Sequence, residues 1–435
     1  MTTQPDLTVS TRRLLTLTLS AFVVLAAEPT YLLVDTAVVG HLGTLPLAAL
    51  GIAVAVMGLL LVLGSFVEYG TTGRTARAWG AGRLDLAHLE GVQASWVALG
   101  AGVVLLVAGQ LLAGPLAGAL TGSEGVVRDE AVAWLRIGLL GLPGVLLVLA
   151  GNGWMRGVRR TRAPVVIVLL ANTVSAVLCP VLVYGAGLGL RGSAFANLAG
   201  QLVGAVLFWS QLQGPRTVHW RVVRAQLGVG RDLVIRSVGF QAAFLTAAAV
   251  VARMGAPQLA AHQIGLQLTD FTALLLDSVA IAAQAVVGAA LGSADAAGAR
   301  AVAWRITRWG AVAGLAFAVI YAALWQVLPL VFTDSAEVQH QLHLMWPWFC
   351  VLWLPAGCLF ALDGVLIGAG DVRFMAVLTI VAGLGAFVPV DLAALHFGWG
   401  IGGVWAGLLA FYLARLLGMV LRTAGERWQV TGVAA

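Results

Sequence analysis

Long apolar runs, broken where Gly, Pro and Arg gather, predict helices near 13–40, 46–73, 88–120, 128–151, 163–186, 193–212, 230–254, 258–291, 303–331, 343–369, 372–396 and 401–422. A helix needs about 20 mainly apolar residues to cross a bilayer. The pattern therefore predicts an all-α, polytopic membrane protein of twelve transmembrane helices. The run that follows Arg12 and Arg13 imitates a secretory leader as far as Ala27, but its apolar character continues through Val39 without a release point. It is read as the first helix.

Polar breaks carry the orientation. All basic residues are arginine, and with the N-terminus inside, the arginines collect on one side of the membrane. Residues such as Arg74, Arg156, Arg216 and Arg373 fall inside; the opposite loops hold little beyond Arg128, Arg191 and Arg253. This is the positive-inside distribution, and it predicts a cell inner (plasma) membrane protein with both termini cytoplasmic. The longest polar connection predicts an amino-terminal six-helix lobe over 1–212, a cytoplasmic linker over 213–228 containing Gly214 and Pro215, and a carboxy-terminal six-helix lobe over 229–435.

The two halves resemble each other. HLGTLPLAALGI at 41–52 aligns with RMGAPQLAAHQI at 253–264, and NGWMRG at 152–157 with DGVLIG at 363–368. Arg162 then pairs with Arg373, and Gly192 with Gly403. Six helices per repeat means that both halves enter from the same side, the arrangement of parallel repeats in alternating-access carriers.

Composition narrows the function classes. Hydrophobic residues make up 60% of the 435 positions and charged residues 10%, against about 25% charged in soluble domains. No room remains for a soluble catalytic domain. The net charge of +6 is spread between apolar runs and serves orientation, so no nucleic-acid partner is expected. Cys179, Cys350 and Cys358 lack metal-ligand spacing and read as small buried hydrophobes. With no HExxH, no P-loop and no nucleophile beside a base, the chain is expected to be neither enzyme nor ATPase, with no metal or cofactor.

Candidate chemistry lies in polar groups inside the spans, which are costly there and functional by default. Glu28, Tyr31 and Asp35 share one helical stripe in EPTYLLVD, beside Pro29. A carboxylate drawn out of water holds its proton more tightly, so Asp35 or Glu28 is a proton or cation carrier. The eighth helix carries Gln263, Gln267, Asp270, Asp277 and Gln284 along one face. Arg236 and Gln241 on the seventh and Asp363 on the tenth add a second polar group, with Arg236 facing either Asp277 or Asp363. Asn172, Ser175, Asn197 and Gln201 form a weaker set on helices five and six. Glu68 is expected to pair with Arg74, and Trp325, Trp346, Trp348, Trp353 and Trp399 to form interfacial belts.

PTYLLVDTAVVGHLG at 29–43, TTGRTARAWGAGR at 71–83 and LDGVLIGAG at 362–370 resemble the multidrug and toxic compound extrusion (MATE) family. RDLVIRS at 231–237 and LDSVAIAAQA at 276–285 point to its DinF-type branch. The resemblance implies two six-helix lobes related by pseudo-two-fold symmetry. It also implies export of cationic or amphipathic organic compounds against protons or sodium by alternating access, and it makes Asp35 the match for the family's first-helix carboxylate. Two departures follow. Where many relatives carry an NxxLD pattern on helix five, this chain reads SAVLC, with Ser175 and Cys179; Gln284 stands where close relatives carry Glu. The expectation is proton rather than sodium coupling centred on Asp35, with small organic substrates and the bilayer as partners, in a monomer. The alternative is a flippase for lipid-linked precursors of the same superfamily, disfavoured because intramembrane arginines are few.

Overall fold

The computed structural model describes residues 11–121, 125–212 and 214–433. The first linker position, 213, and the side chains of Arg12 and Arg13 lie outside the described part, as do residues 1–10 and 434–435, which the expected lobes include. Twelve helices are long and apolar enough to cross a membrane: α1 Leu14–Gly40, α2 Thr44–Gly80, α3 Leu84–Leu120, α4 Val126–Gly157, α5 Arg162–Gly185, α6 Leu190–Gln211, α7 Trp220–Ala252, α8 Ala256–Gly292, α9 Ala296–Ala323, α10 Ala336–Gly368, α11 Val372–His396 and α12 Gly400–Ala424. A short helix, Val327–Phe332, precedes α10.

Several ends differ from the apolar pattern, because helical hydrogen bonding continues through polar turns after the apolar run has stopped. Thus α2 breaks at Ser65 and resumes over Phe66–Gly80, and α7 begins at Trp220, inside the stretch expected to be linker. The chain divides into two compact units, comprising Leu15–Arg231 and Asp232–Val433.

Inside the first unit α4 is the central helix, packed on α2, α3 and α6; inside the second, α10 holds the same place against α8, α9 and α12. The repeated NG/DG segments explain why. A Cβ at Gly153 would stand 2.4 Å from the Glu68 carbonyl oxygen on α2, and one at Gly157 would meet the Thr75 side chain. In the second unit a Cβ at Gly364 would stand 2.2 Å from the Ala280 carbonyl oxygen on α8, and one at Gly368 would meet the Gln284 backbone. Both pairs are Gly-x-x-x-Gly seams. Between helices already in lipid, association depends on close van der Waals approach, which small residues allow.

The connections repeat too. Gly82 and Ala294, at equivalent places after α2 and α8, both have left-handed backbone, φ 73° and 63°. Arg159 and Gly370, after α4 and α10, do likewise at 60° and 73°. The geometry is that of a turn closing a helix end, for which glycine is the unstrained residue; the non-glycine member of each pair is held there by the helices it joins.

The tryptophan expectation holds only in part. Trp325, Trp348 and Trp399 are exposed, but Trp346 and Trp353 are buried with Phe349 and Tyr321 in the core of the second unit. Their position near a helix end in sequence does not fix depth, because α10 is enclosed by neighbours along most of its length.

Candidate functional site

In the first unit the stripe on α1 faces protein at two of its three positions. Tyr31 and Asp35 are buried, Asp35 with no exposed surface, while Glu28 is accessible. Glu28 nevertheless lies close enough to Asp35 for their charges to interact. Around Asp35 the neighbours are neutral. The Cys179 thiol on α5 donates to Asp35 Oδ1 at 3.2 Å. The Ser193 hydroxyl on α6 is within its hydrogen-bonding range. Among the described residues Asp35 Oδ2 has no hydrogen-bond partner.

Ser193 has a defined polarity. The Trp134 indole on α4, a donor only, gives its N–H to Ser193 Oγ at 3.1 Å. The Ser193 proton is thereby left for Asp35. The end of α1 is held at a second point, where Tyr184 donates to the Val38 carbonyl at 2.5 Å. Tyr184 reaches it from a π-helical turn, Val181–Gly185, that ends α5 behind Pro180. Such single wide turns re-aim side chains and occur frequently at functional sites.

Asn197, one turn beyond Ser193 on α6, interacts with Tyr31 and accepts from Gln201 Nε2. Ser175 lies under Gly200, so close that a Cβ there would overlap its hydroxyl. It is enclosed between α5 and α6, and Asn172 is half-buried one turn earlier. Asp35, Tyr31, Cys179, Ser193 and Asn197 thus form one buried cluster, with Glu28 at its accessible margin.

In the second unit Arg236 takes Asp363 rather than Asp277, with Nη2 2.9 Å from Oδ2. The same carboxylate binds Arg415 of α12, Nη2 to Oδ1, at 3.1 Å. Arg415 has no exposed side-chain surface, and its guanidinium lies 4.2 Å from the Phe240 ring centre. Of the α8 stripe, Gln267 and Asp270 are exposed, Asp277 is half-buried and engaged, and Gln284 is buried with both amide atoms unpartnered. Gln241 on α7 is half-buried.

Two sequence readings are corrected. Glu68 pairs with Arg156 of α4, and Arg74 with Glu90 of α3 at 2.6 Å; nearness along α2 lost to the helices packed across it. Cys179 is not an inert hydrophobe but a donor to Asp35. Ser193, Trp134 and Arg415 were not singled out. The repeat alignment at Gly192 lies beside Ser193, and Arg415 is a charge inside the twelfth apolar run; either signal would have found its residue.

The MatE family model matches residues 20–181 and 233–392, one stretch in each half. The chain is 30% identical to Protein DETOXIFICATION 44, chloroplastic, of Arabidopsis thaliana, over 93% of this chain and 80% of the relative. It is also 30% identical to DNA damage-inducible protein F of Escherichia coli K12, over 89% and 86%. Among solved structures, one described as the outward-facing conformation of a multidrug resistance MATE family transporter of the MOP superfamily matches with a TM-score of 0.85. It has 21% identity and covers 95% of each chain.

Proposed function

The chain belongs to the MATE family of membrane transporters, and on that premise we propose that it exports cationic or amphipathic organic compounds in exchange for protons, with Asp35 as the coupling group. One observation carries the reading: Asp35 is a fully buried carboxyl whose close partners are a thiol and a hydroxyl, not a cation. Such a group is stable in apolar surroundings as the neutral acid and becomes a strong anchor for positive charge once the proton leaves. A proton and a cationic substrate therefore compete for one negative charge, and that competition is the differential affinity antiport requires.

Protons are favoured over sodium by the donor set. Hard cations take several oxygen ligands, and Cys179 offers sulfur where a second carboxylate would supply oxygen. Protonation also removes the charge that Ser193 and Cys179 are oriented to serve, which loosens the attachment of α1 to α5 and α6. Glu28, at the accessible margin, is the entry point for the proton or the first contact for the substrate cation. Asn172, Ser175, Asn197 and Gln201 in the first half, and Arg236, Gln241, Gln267, Asp270, Asp277, Gln284 and Asp363 in the second, are read as the groups that contact substrate or fix those that do. We read the chain as a plasma-membrane monomer with both termini cytoplasmic, supported by the arginine asymmetry.

The test is ethidium efflux from proteoliposomes under a pH gradient or a sodium gradient, imposed separately. The pH gradient alone is expected to drive efflux, and Asp35→Asn to abolish it. Normal export by Asp35→Asn would defeat the mechanism, and export driven by sodium alone would reassign the ion.

A further inference from the structure

We propose that Asp391, on α11, is a second proton-binding carboxyl, loaded and unloaded during the transport cycle in the carboxy-terminal unit. The proposal rests on the reading of the chain as proton-coupled. It starts from a contrast between two buried carboxyls of the same unit. Asp363 is held between Arg236 and Arg415, which offset its charge. Asp391 has no exposed surface, and among the described residues neither of its carboxyl oxygens has a hydrogen-bond partner. A buried carboxylate without a partner is far costlier than a buried neutral acid, so the surroundings of Asp391 accommodate a proton.

The geometry makes room for this carboxyl against α12. Its Oδ1 lies 2.5 Å from where a Cβ on Gly407 of α12 would stand. The absent side chain is what admits the carboxyl against the α12 backbone. Asp391 lies four residues after a π-helical turn, Gly383–Phe387, and two after Pro389, which lacks an N–H. Both features loosen the backbone hydrogen-bond ladder of α11. The carboxyl is therefore set beside a segment of helix able to change register.

The charged groups of α12, which packs on Asp391, are engaged elsewhere. On α12, Arg415 is bound to Asp363 and Arg422 to Asp371, and Tyr412 lies beyond Gly407 among Phe411 and Arg415. On α11 itself, the His396 ring packs on Phe397, and Arg373 is exposed in the first turn. The π-helical turn contains no titratable residue. Asp391 and Asp35 stand alike in their helices, each about a turn and a half before the end of an odd-numbered span. By the alignment of the halves neither is the repeat copy of the other: position 247 aligns with Asp35 and position 180 with Asp391, and these are Ala247 and Pro180.

The experiment is infrared titration of the reconstituted full-length chain, following the carbonyl stretch of protonated carboxylic acids, in wild type, Asp35→Asn and Asp391→Asn. A band that titrates with pH, persists in Asp35→Asn and is lost in Asp391→Asn is expected. The proton-to-ethidium ratio in proteoliposomes should fall by half in Asp391→Asn. Should that variant not fold, wild type is treated with dicyclohexylcarbodiimide, which modifies neutral carboxyls in apolar surroundings, and peptide mass spectrometry should find the adduct on Asp391. Persistence of the band in Asp391→Asn, an unchanged ratio in the folded variant, or no adduct on Asp391 at any pH would overturn the proposal. Normal export by Asp35→Asn would instead sink the Asp35 reading and leave the Asp391 band to be judged separately.

Discussion

The thiol of Cys179 donates to Oδ1 of Asp35 across 3.2 Å, at the position where the family resemblance leads one to expect a second acid. The contact gives the Asp35 carboxyl a neutral donor, with the second carboxyl, Glu28, at the accessible margin. It suggests a direct way to change the ion the site accepts.

Cys179→Asp would put carboxylate oxygens where the thiol sulfur stands, and a hard cation takes several oxygen ligands. The variant is expected to acquire sodium-stimulated ethidium efflux that wild type lacks. Ser193→Ala removes one donor, a loss of about 1 kcal/mol or roughly fivefold in the equilibrium it serves. Its expected signature is a shifted pH midpoint of ethidium binding with the maximum retained. Wild-type behaviour of both variants under both gradients would show that the shell around Asp35 does not tune coupling.

The Asp363 cluster is predicted to be structural. Asp363→Asn leaves Arg236 and Arg415 facing one another without their shared counter-charge, and breaking a buried ion pair costs about 3–5 kcal/mol. Thermal unfolding in detergent should drop sharply for Asp363→Asn and Arg415→Met. The effect should be smaller for Arg236→Gln, because Arg236 keeps 16% of its side-chain surface exposed and Arg415 none. Equal losses at the two arginines would contradict the burial argument.

The glycine seams should be intolerant of a single methyl. Gly364→Ala forces a Cβ to within 2.2 Å of the Ala280 carbonyl, and overpacking of this kind typically costs about 1–3 kcal/mol. Gly51→Ala, with nothing within 4 Å of the new Cβ, is the matched control. Comparable melting temperatures for the two variants would refute the seam.

Ala294 offers a gain. Its left-handed backbone, φ 63°, suits glycine, and the repeat supplies a glycine at the equivalent Gly82. Ala294→Gly is expected to stabilise the protein by about 1 kcal/mol, read as a higher midpoint of thermal unfolding in detergent with efflux unchanged.

The span count, the repeat and the α1 stripe were legible because each is a periodic signal: about 20 apolar residues per crossing, a constant offset between halves, and i, i+3, i+7 spacing. What the sequence concealed were partners chosen across helices. Glu68 has Arg74 nearby along α2 yet pairs with Arg156 on α4, because packing against α4 decides which guanidinium it can reach. Cys179 and Ser193 are ordinary residues for apolar helices, and only the packing of α5 and α6 against α1 turns them into donors. Asp391 escaped notice because it sits alone in VPVDLAALH, with no second polar group at helical spacing.

The Gly153–Gly157 and Gly364–Gly368 seams press one helix backbone directly onto its neighbour, against the backbone at Glu68, Ala280 and Gln284 and the short side chain of Thr75, and contacts this close leave little room to slide. The helices joined there, α2 with α4 and α8 with α10, must travel as solid pieces through any change of state. Flexing is left to helices fastened by contacts that chemistry can undo. Among these is α1, pinned to α5 by a thiol on one carboxylate and a phenol on one carbonyl; on the proposed proton exchange, it is a latch that a single proton releases.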